Sequence, residues 1–175
     1  MDACEIAGIK CLRVINESTA IVYNYGFFRK NDLDPEKERV VAFVDLGHSK
    51  TTITIAAFKR GEARILIHNS DRNLGGRDFD DAVLDVVGGE FAKKYGDDPR
   101  KSARCRIRLY EACEKARKLL SSDTESQLNV EYLLNEEDLV RKLSREEFEK
   151  INEPTLNRFR NLLQDTLSKA GLTPD

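Results

Sequence analysis

The stretch VAFVDLGHSKTTITIAAF, Val41 to Phe58, decides the reading of this chain. Two apolar runs of strand character are separated by a polar corner in which Asp45, Gly47, His48, Ser49 and Lys50 stand. A plain two-residue hairpin favours Asn-Gly or Asp-Gly at its tip, and this corner offers neither. An Asp at a strand end can order metal-bound water, and backbone N–H groups turned outward beside it can cradle phosphate oxygens. Taken alone the same corner is a common turn, so its surroundings must decide.

Working outward, Val40–Leu46, Thr51–Phe58 and Ala63–His68 read as three successive strands, with Gly61 in the turn KRGEA, which predicts an antiparallel meander. Before them, CLRVI at 11–15 reads as a short buried strand. STAIVYNYGFF then reads as a helix capped by Ser18 or Thr19, with Gly26 near its end, and residues 29–39 as a charged loop. After them, a helix begins near Asp78, with Phe79, Val83, Val86 or Val87 and Phe91 on one side and Gly88-Gly89 weakening it. Residues 100–122 give the strongest helical pattern, an apolar stripe of Ile107, Leu109, Tyr110, Cys113, Ala116 and Leu120 among basic residues. SQLNVEYLL and DLVRKL predict two more strands. Ser144 with Glu147 reads as a capping box, and a helix from Pro154 is closed by Gly171.

Composition excludes several classes of function. The 29 basic against 31 acidic residues leave a net charge of −2, which gives no electrostatic footprint for nucleic acid. Cys4, Cys11, Cys105 and Cys113 lack CxxC spacing, and only His48 and His68 could join them, so the thiols read as free and buried rather than zinc-binding. No signal-type segment and no run near the roughly 20 apolar residues of a membrane helix is present, so no membrane role and a cytoplasmic location are expected.

Two further groups could carry chemistry. Gly75 and Gly76 precede a helix start, where free N–H groups and the dipole favour anions, although a sheet-to-helix linker needs the same residues. Glu114, Arg117, Lys118 and Ser121 lie at spacings of three, four and seven on the strong helix, so one face presents them together; without further context that face is simply solvated.

INESTAIV, DLGHSK, LGGRDFD and CEKARKLLS occur in this order, and together they resemble the nucleotide-binding domain of the heat-shock protein 70 (DnaK) family, an actin-like ATPase whose corresponding stretches read INEPTAAA, DLGGGT, LGGEDFD and CERAKRTLS. The DLGHS variant resembles the heat-shock protein 110 subfamily, whose members act mainly as nucleotide-exchange factors for heat-shock protein 70 chaperones and as holdases.

The resemblance implies an α/β fold of the actin-like (ribonuclease H-like) type, partial, with an inserted smaller α+β lobe. Residues 1–34 would close a first lobe, 35–74 with 153–175 would form a second-lobe sheet and helix, and 75–152 the insertion. It further implies that ATP or ADP binds with magnesium. Asp45 and Glu17 would reach the metal through water as the catalytic carboxylates. Gly47, His48, Ser49, Lys50, Gly75 and Gly76 would lie along the phosphates, and Glu114, Arg117, Lys118 and Ser121 would hold the adenosine, the long basic stems stacking on the base. Side chains at 48–50 occupy a corner where the family has Gly-Gly-Thr, which alters the approach of phosphate to backbone. The implied partners are a heat-shock protein 70 chaperone and unfolded clients, the latter through domains that this stretch lacks. A nucleotide-independent interaction module and an actin-like sugar kinase are the competing readings.

Overall fold

The computed structural model describes residues 1–173. Its elements run α1 (Asp2–Ile6), α2 (Glu17–Phe28), β1 (Arg39–Leu46), β2 (Thr51–Lys59), β3 (Glu62–Asp71), α3 (Gly76–Tyr95), α4 (Ala103–Leu119), β4 (Glu125–Leu134), β5 (Glu137–Ser144), α5 (Arg145–Ile151) and α6 (Glu153–Lys169), with a 3-10 turn at Pro99–Lys101. The chain divides into two compact units. The first comprises residues 1–45, 52–70 and the chain from Gln164; the second comprises 46–51 and 71–163.

In the first unit the sheet order is β1-β2-β3, the expected meander. β2 is buried along almost its whole length, which its run of Ile53, Ile55, Ala56, Ala57 and Phe58 allows because no charged side chain interrupts it. α2 packs on this sheet through Val22, with Leu33, Ala56 and Phe58 completing the cluster, and the Tyr25 ring meets Phe43 and Phe58. Gly61 turns the β2–β3 hairpin at φ +83°, a conformation that L side chains rarely adopt.

Two expectations fail here. Residues 11–15 form no strand, and Leu12, Val14 and Ile15 are exposed: a lone extended segment needs a partner ladder to bury its apolar side chains, and none pairs with it among the described residues. The cap of α2 is Asn16 rather than Ser18 or Thr19, so the helix starts two or three residues earlier than its apolar pattern suggests. Gly26 lies inside the helix, which continues to Phe28.

The second unit is α+β. Its core joins Val83, Leu84, Val87 and Phe91 of α3, Cys105, Leu109, Cys113 and Ala116 of α4 with Leu120 after it, and Leu128, Val130, Leu133, Leu139 and Leu143 of the antiparallel β4–β5 pair. Val87 rather than Val86 continues the α3 stripe, and Ile107 is excluded from the α4 stripe at 60% exposure. Gly88 sits inside α3 because the Arg100 stem lies across it: a Cβ there would come within 2.7 Å of the Arg100 side chain. α3 ends at Gly96, φ +86°. Ser144 caps α5 by accepting from the Glu147 amide, but the Glu147 carboxylate pairs with Arg141 instead of closing the box. Cys105 and Cys113 are buried free thiols, whereas Cys4 and Cys11 are half-exposed.

Candidate functional site

The corner after β1 closes on itself through the Gly47 amide, which donates to the Lys50 carbonyl at 2.9 Å, leaving His48 and Ser49 at the tip. It then docks on the start of α3. The Gly76 amide donates to the Gly47 carbonyl and the Arg77 amide to the His48 carbonyl, both at 2.9 Å. Gly75 is the N-cap, and its own amide donates to the Asp78 carboxylate at 2.8 Å. The amides expected to receive an anion at Gly75 and Gly76 are thus engaged by the chain's own oxygens. What the first glycine provides is space. A Cβ on Gly75 would overlap the His48 carbonyl and the Ser49 amide, although Gly75 is in the extended conformation, open to any residue. Below the corner, the buried Thr51 hydroxyl donates to the Leu74 carbonyl at 2.7 Å.

α4 carries the second group of candidates, and the structure separates them. Glu114 and Lys118 pair at 2.8 Å on the exposed face, the lysine keeping 65% of its side chain in solvent. The Lys118 ammonium holds the Glu114 carboxyl below its ordinary range, with a smaller contribution from Arg117. Ser121 is exposed, and its hydroxyl donates to the Lys118 carbonyl. Arg117 turns the other way. Its Nε and Nη2 clasp the Asp80 carboxylate of α3 at 2.6 and 3.0 Å, and Asp80 is 1% exposed. This bidentate partner raises the Arg117 guanidinium further above its already high range.

Asp80 is a neighbour of the candidate site that sequence reading missed, although a signal existed. Asp80, Leu84 and Val87 share one α3 stripe, and Cys113, Arg117 and Leu120 share one α4 stripe, both at i, i+4, i+7. An acid on one apolar stripe and an arginine on another are what a buried pair looks like in sequence. Tyr110, in sequence simply a member of the apolar stripe, has its phenol pushed up to about 12 by burial and then by Asp80 and Asp81. A shallow pocket of about 510 Å³ has His48, Tyr110 and Glu114 among its lining residues.

Asp45 and Glu17 belong to the first unit, Asp45 half-buried as the penultimate residue of β1 and Glu17 exposed in the first turn of α2. Among the described residues no three His, Cys, Asp or Glu side chains converge on a metal position. Magnesium does not require such a cage, since it keeps several waters and uses one or two carboxylates beside phosphate oxygens.

The family model for "Hsp70 protein" matches residues 1–175. The chain belongs to the heat-shock protein 70 family. It is 40% identical over 176 residues to a heat shock protein homolog of Saccharomyces cerevisiae, covering 99% of this chain and 25% of that protein. It is 42% identical over 173 residues to "Heat shock 70 kDa protein 14" of Arabidopsis thaliana, with 99% and 21% covered, and 38% identical over 175 residues to "Heat shock 70 kDa protein 4L" of Homo sapiens, with 98% and 21% covered. The chain therefore spans about a quarter of the length of the curated relatives it matches. Within the heat-shock protein 70 family it stands in the heat-shock protein 110 branch, as a segment of the nucleotide-binding domain, and its mixed helix and sheet are those of a partial actin-like ATPase fold. Among the described residues no helix is long and apolar enough to cross a membrane.

Proposed function

We propose that this chain supplies one wall of an ATP- and magnesium-binding cleft in a cytoplasmic heat-shock protein 110-type chaperone, which acts as nucleotide-exchange factor for a heat-shock protein 70 partner and as holdase for unfolded clients. The observation that carries this reading lies within the second unit: the Gly47–Lys50 corner is fixed by its carbonyls to the start of α3, while Glu114, Lys118 and Ser121 stand on the exposed face of α4. One rigid support thus presents a polar corner suited to phosphates and an acid–base pair suited to ribose and purine. Ser49 and Lys50 carry the corner side chains whose hydroxyl and ammonium have the chemistry to donate to phosphate oxygens, whereas the Gly47 amide is engaged by the Lys50 carbonyl. Asp45 and Glu17 supply the carboxylate chemistry magnesium accepts, through water.

The test is titration of the chain with a fluorescent ATP analogue, with and without magnesium. Weak binding is expected, with a dissociation constant well above about 1 µM because one wall acts alone. The same 175 residues are then placed in the Saccharomyces cerevisiae relative in exchange for its aligned segment. The chimera is expected to bind ATP and to accelerate nucleotide release from a heat-shock protein 70. A folded chimera that binds no nucleotide would overturn the reading.

A further inference from the structure

We infer that Arg117 is a positioning residue, a clamp that fixes the spacing between the α4 face and the Gly47–Lys50 corner, rather than a residue that stacks on the base; this rests on the nucleotide reading above. Both guanidinium nitrogens that reach Asp80 are committed to a carboxylate with almost no solvent access. Turning the Arg117 stem outward onto a ligand would strand that carboxylate, buried and unpaired. The same guanidinium lies over Gly76: a Cβ built there would sit 3.4 Å from Nη2. Gly76 in turn donates to Gly47, and Arg77 to His48.

The path from α4 to the corner is therefore short and made of restrained links. A two-point ion pair joins α4 to the first turns of α3, and two backbone hydrogen bonds join that turn to the corner. No freely rotating side chain stands between them. Lys118 follows Arg117 directly, and Glu114 lies three residues before it, so both ride on the clamped segment of α4. A ligand that touches the α4 face alone needs no fixed spacing to the corner. A ligand that spans both, as a nucleoside triphosphate would, depends on it.

The discriminating experiment compares adenosine with ATP on Arg117→Met, Arg117→Lys and Asp80→Asn in the chimera, alongside hydrogen exchange of the chain itself. The clamp predicts that Arg117→Met weakens ATP by about tenfold while adenosine changes by less than about twofold. It also predicts that exchange at the Gly76 and Arg77 amides speeds by about tenfold or more without nucleotide. Arg117→Lys, which keeps the charge but can engage only one carboxylate oxygen well, should restore part of both effects, and it serves in place of Arg117→Met should that variant fail to fold. Asp80→Asn, which leaves every ligand-facing group intact, should reproduce the loss. Equal weakening of adenosine and ATP with unchanged exchange at Gly76 and Arg77 would overturn the inference and return Arg117 to the base. Should no variant or parent bind nucleotide, the functional reading fails on its own, and the exchange measurement still decides whether the clamp exists.

Discussion

Gly75 has no Cβ because the His48 carbonyl occupies the place where one would be. The contact is backbone against backbone, so neither side can yield by turning a rotamer. Gly75→Ala is expected to destabilise the second unit by about 1–3 kcal/mol, the range for overpacking. Gly76→Ala should cost less than about 1 kcal/mol, since its Cβ would only touch the Arg117 guanidinium at ordinary contact distance and alanine favours the helix. Urea unfolding followed by circular dichroism compares the two; equal losses would contradict the close approach.

Thr51 makes a second test of the same support. Its buried hydroxyl donates to the Leu74 carbonyl, so Thr51→Val leaves that oxygen without its donor and should cost about 1–3 kcal/mol by the same urea measurement. Thr52→Val on the half-buried neighbouring position is the control, expected to stay within about 0.5 kcal/mol.

Alkaline titration reads the interior of the second unit. Burial pushes the Cys113 thiol up to about 12 from an ordinary 9, and the Tyr110 phenol to about 12 from 10. Both groups stay protonated in the folded state while the unfolded chain ionises, so the unfolded state binds fewer protons and stability falls as pH rises from about 9 toward 12. Cys113→Ala should flatten that slope relative to the parent. At about pH 8, below the ordinary thiol range, labelling of the native chain should reach Cys4 and Cys11 quickly and spare Cys105 and Cys113 until the chain unfolds.

Much of this fold could be read from the chain because strand and helix periods agree with burial where the elements are long. The three-strand meander, the β4 and β5 strands and the α3 and α4 stripes, apart from the exposed Ile107, follow from apolar spacing. What could not be read depends on partners distant in sequence. CLRVI has strand composition, but composition supplies no neighbour to pair with. Arg117 looked solvent-facing because its partner, Asp80, lies 37 residues earlier. At Gly75 and Gly76 the sequence showed the glycines and not the carbonyls that fill the helix start.

Asp45 and Lys118 should differ in their response to metal. In the chimera, Asp45→Ala is expected to weaken nucleotide binding only when magnesium is present, and Lys118→Ala to weaken it in either condition. Displacement of a fluorescent nucleotide measures both; equal magnesium dependence would refute the division of roles.

Replacing His48-Ser49-Lys50 by Gly-Gly-Thr in the chimera should raise the single-turnover rate of ATP hydrolysis by about tenfold with little change in affinity, since preorganised donors near developing charge are worth roughly 3 kcal/mol. An unchanged rate in a folded, nucleotide-binding variant would place the slow step elsewhere.

The docking of the corner on α3 through main-chain atoms has a consequence for how such a loop can diverge. The carbonyls of Gly47 and His48 and the amides of Gly76 and Arg77 are supplied by the peptide backbone, whatever side chains follow. Mutational drift at 48–50 can therefore rewrite the chemistry of the tip while the scaffold beneath it is inherited intact. Purifying selection would fall instead on Gly75, where a single added methyl group breaks the fit.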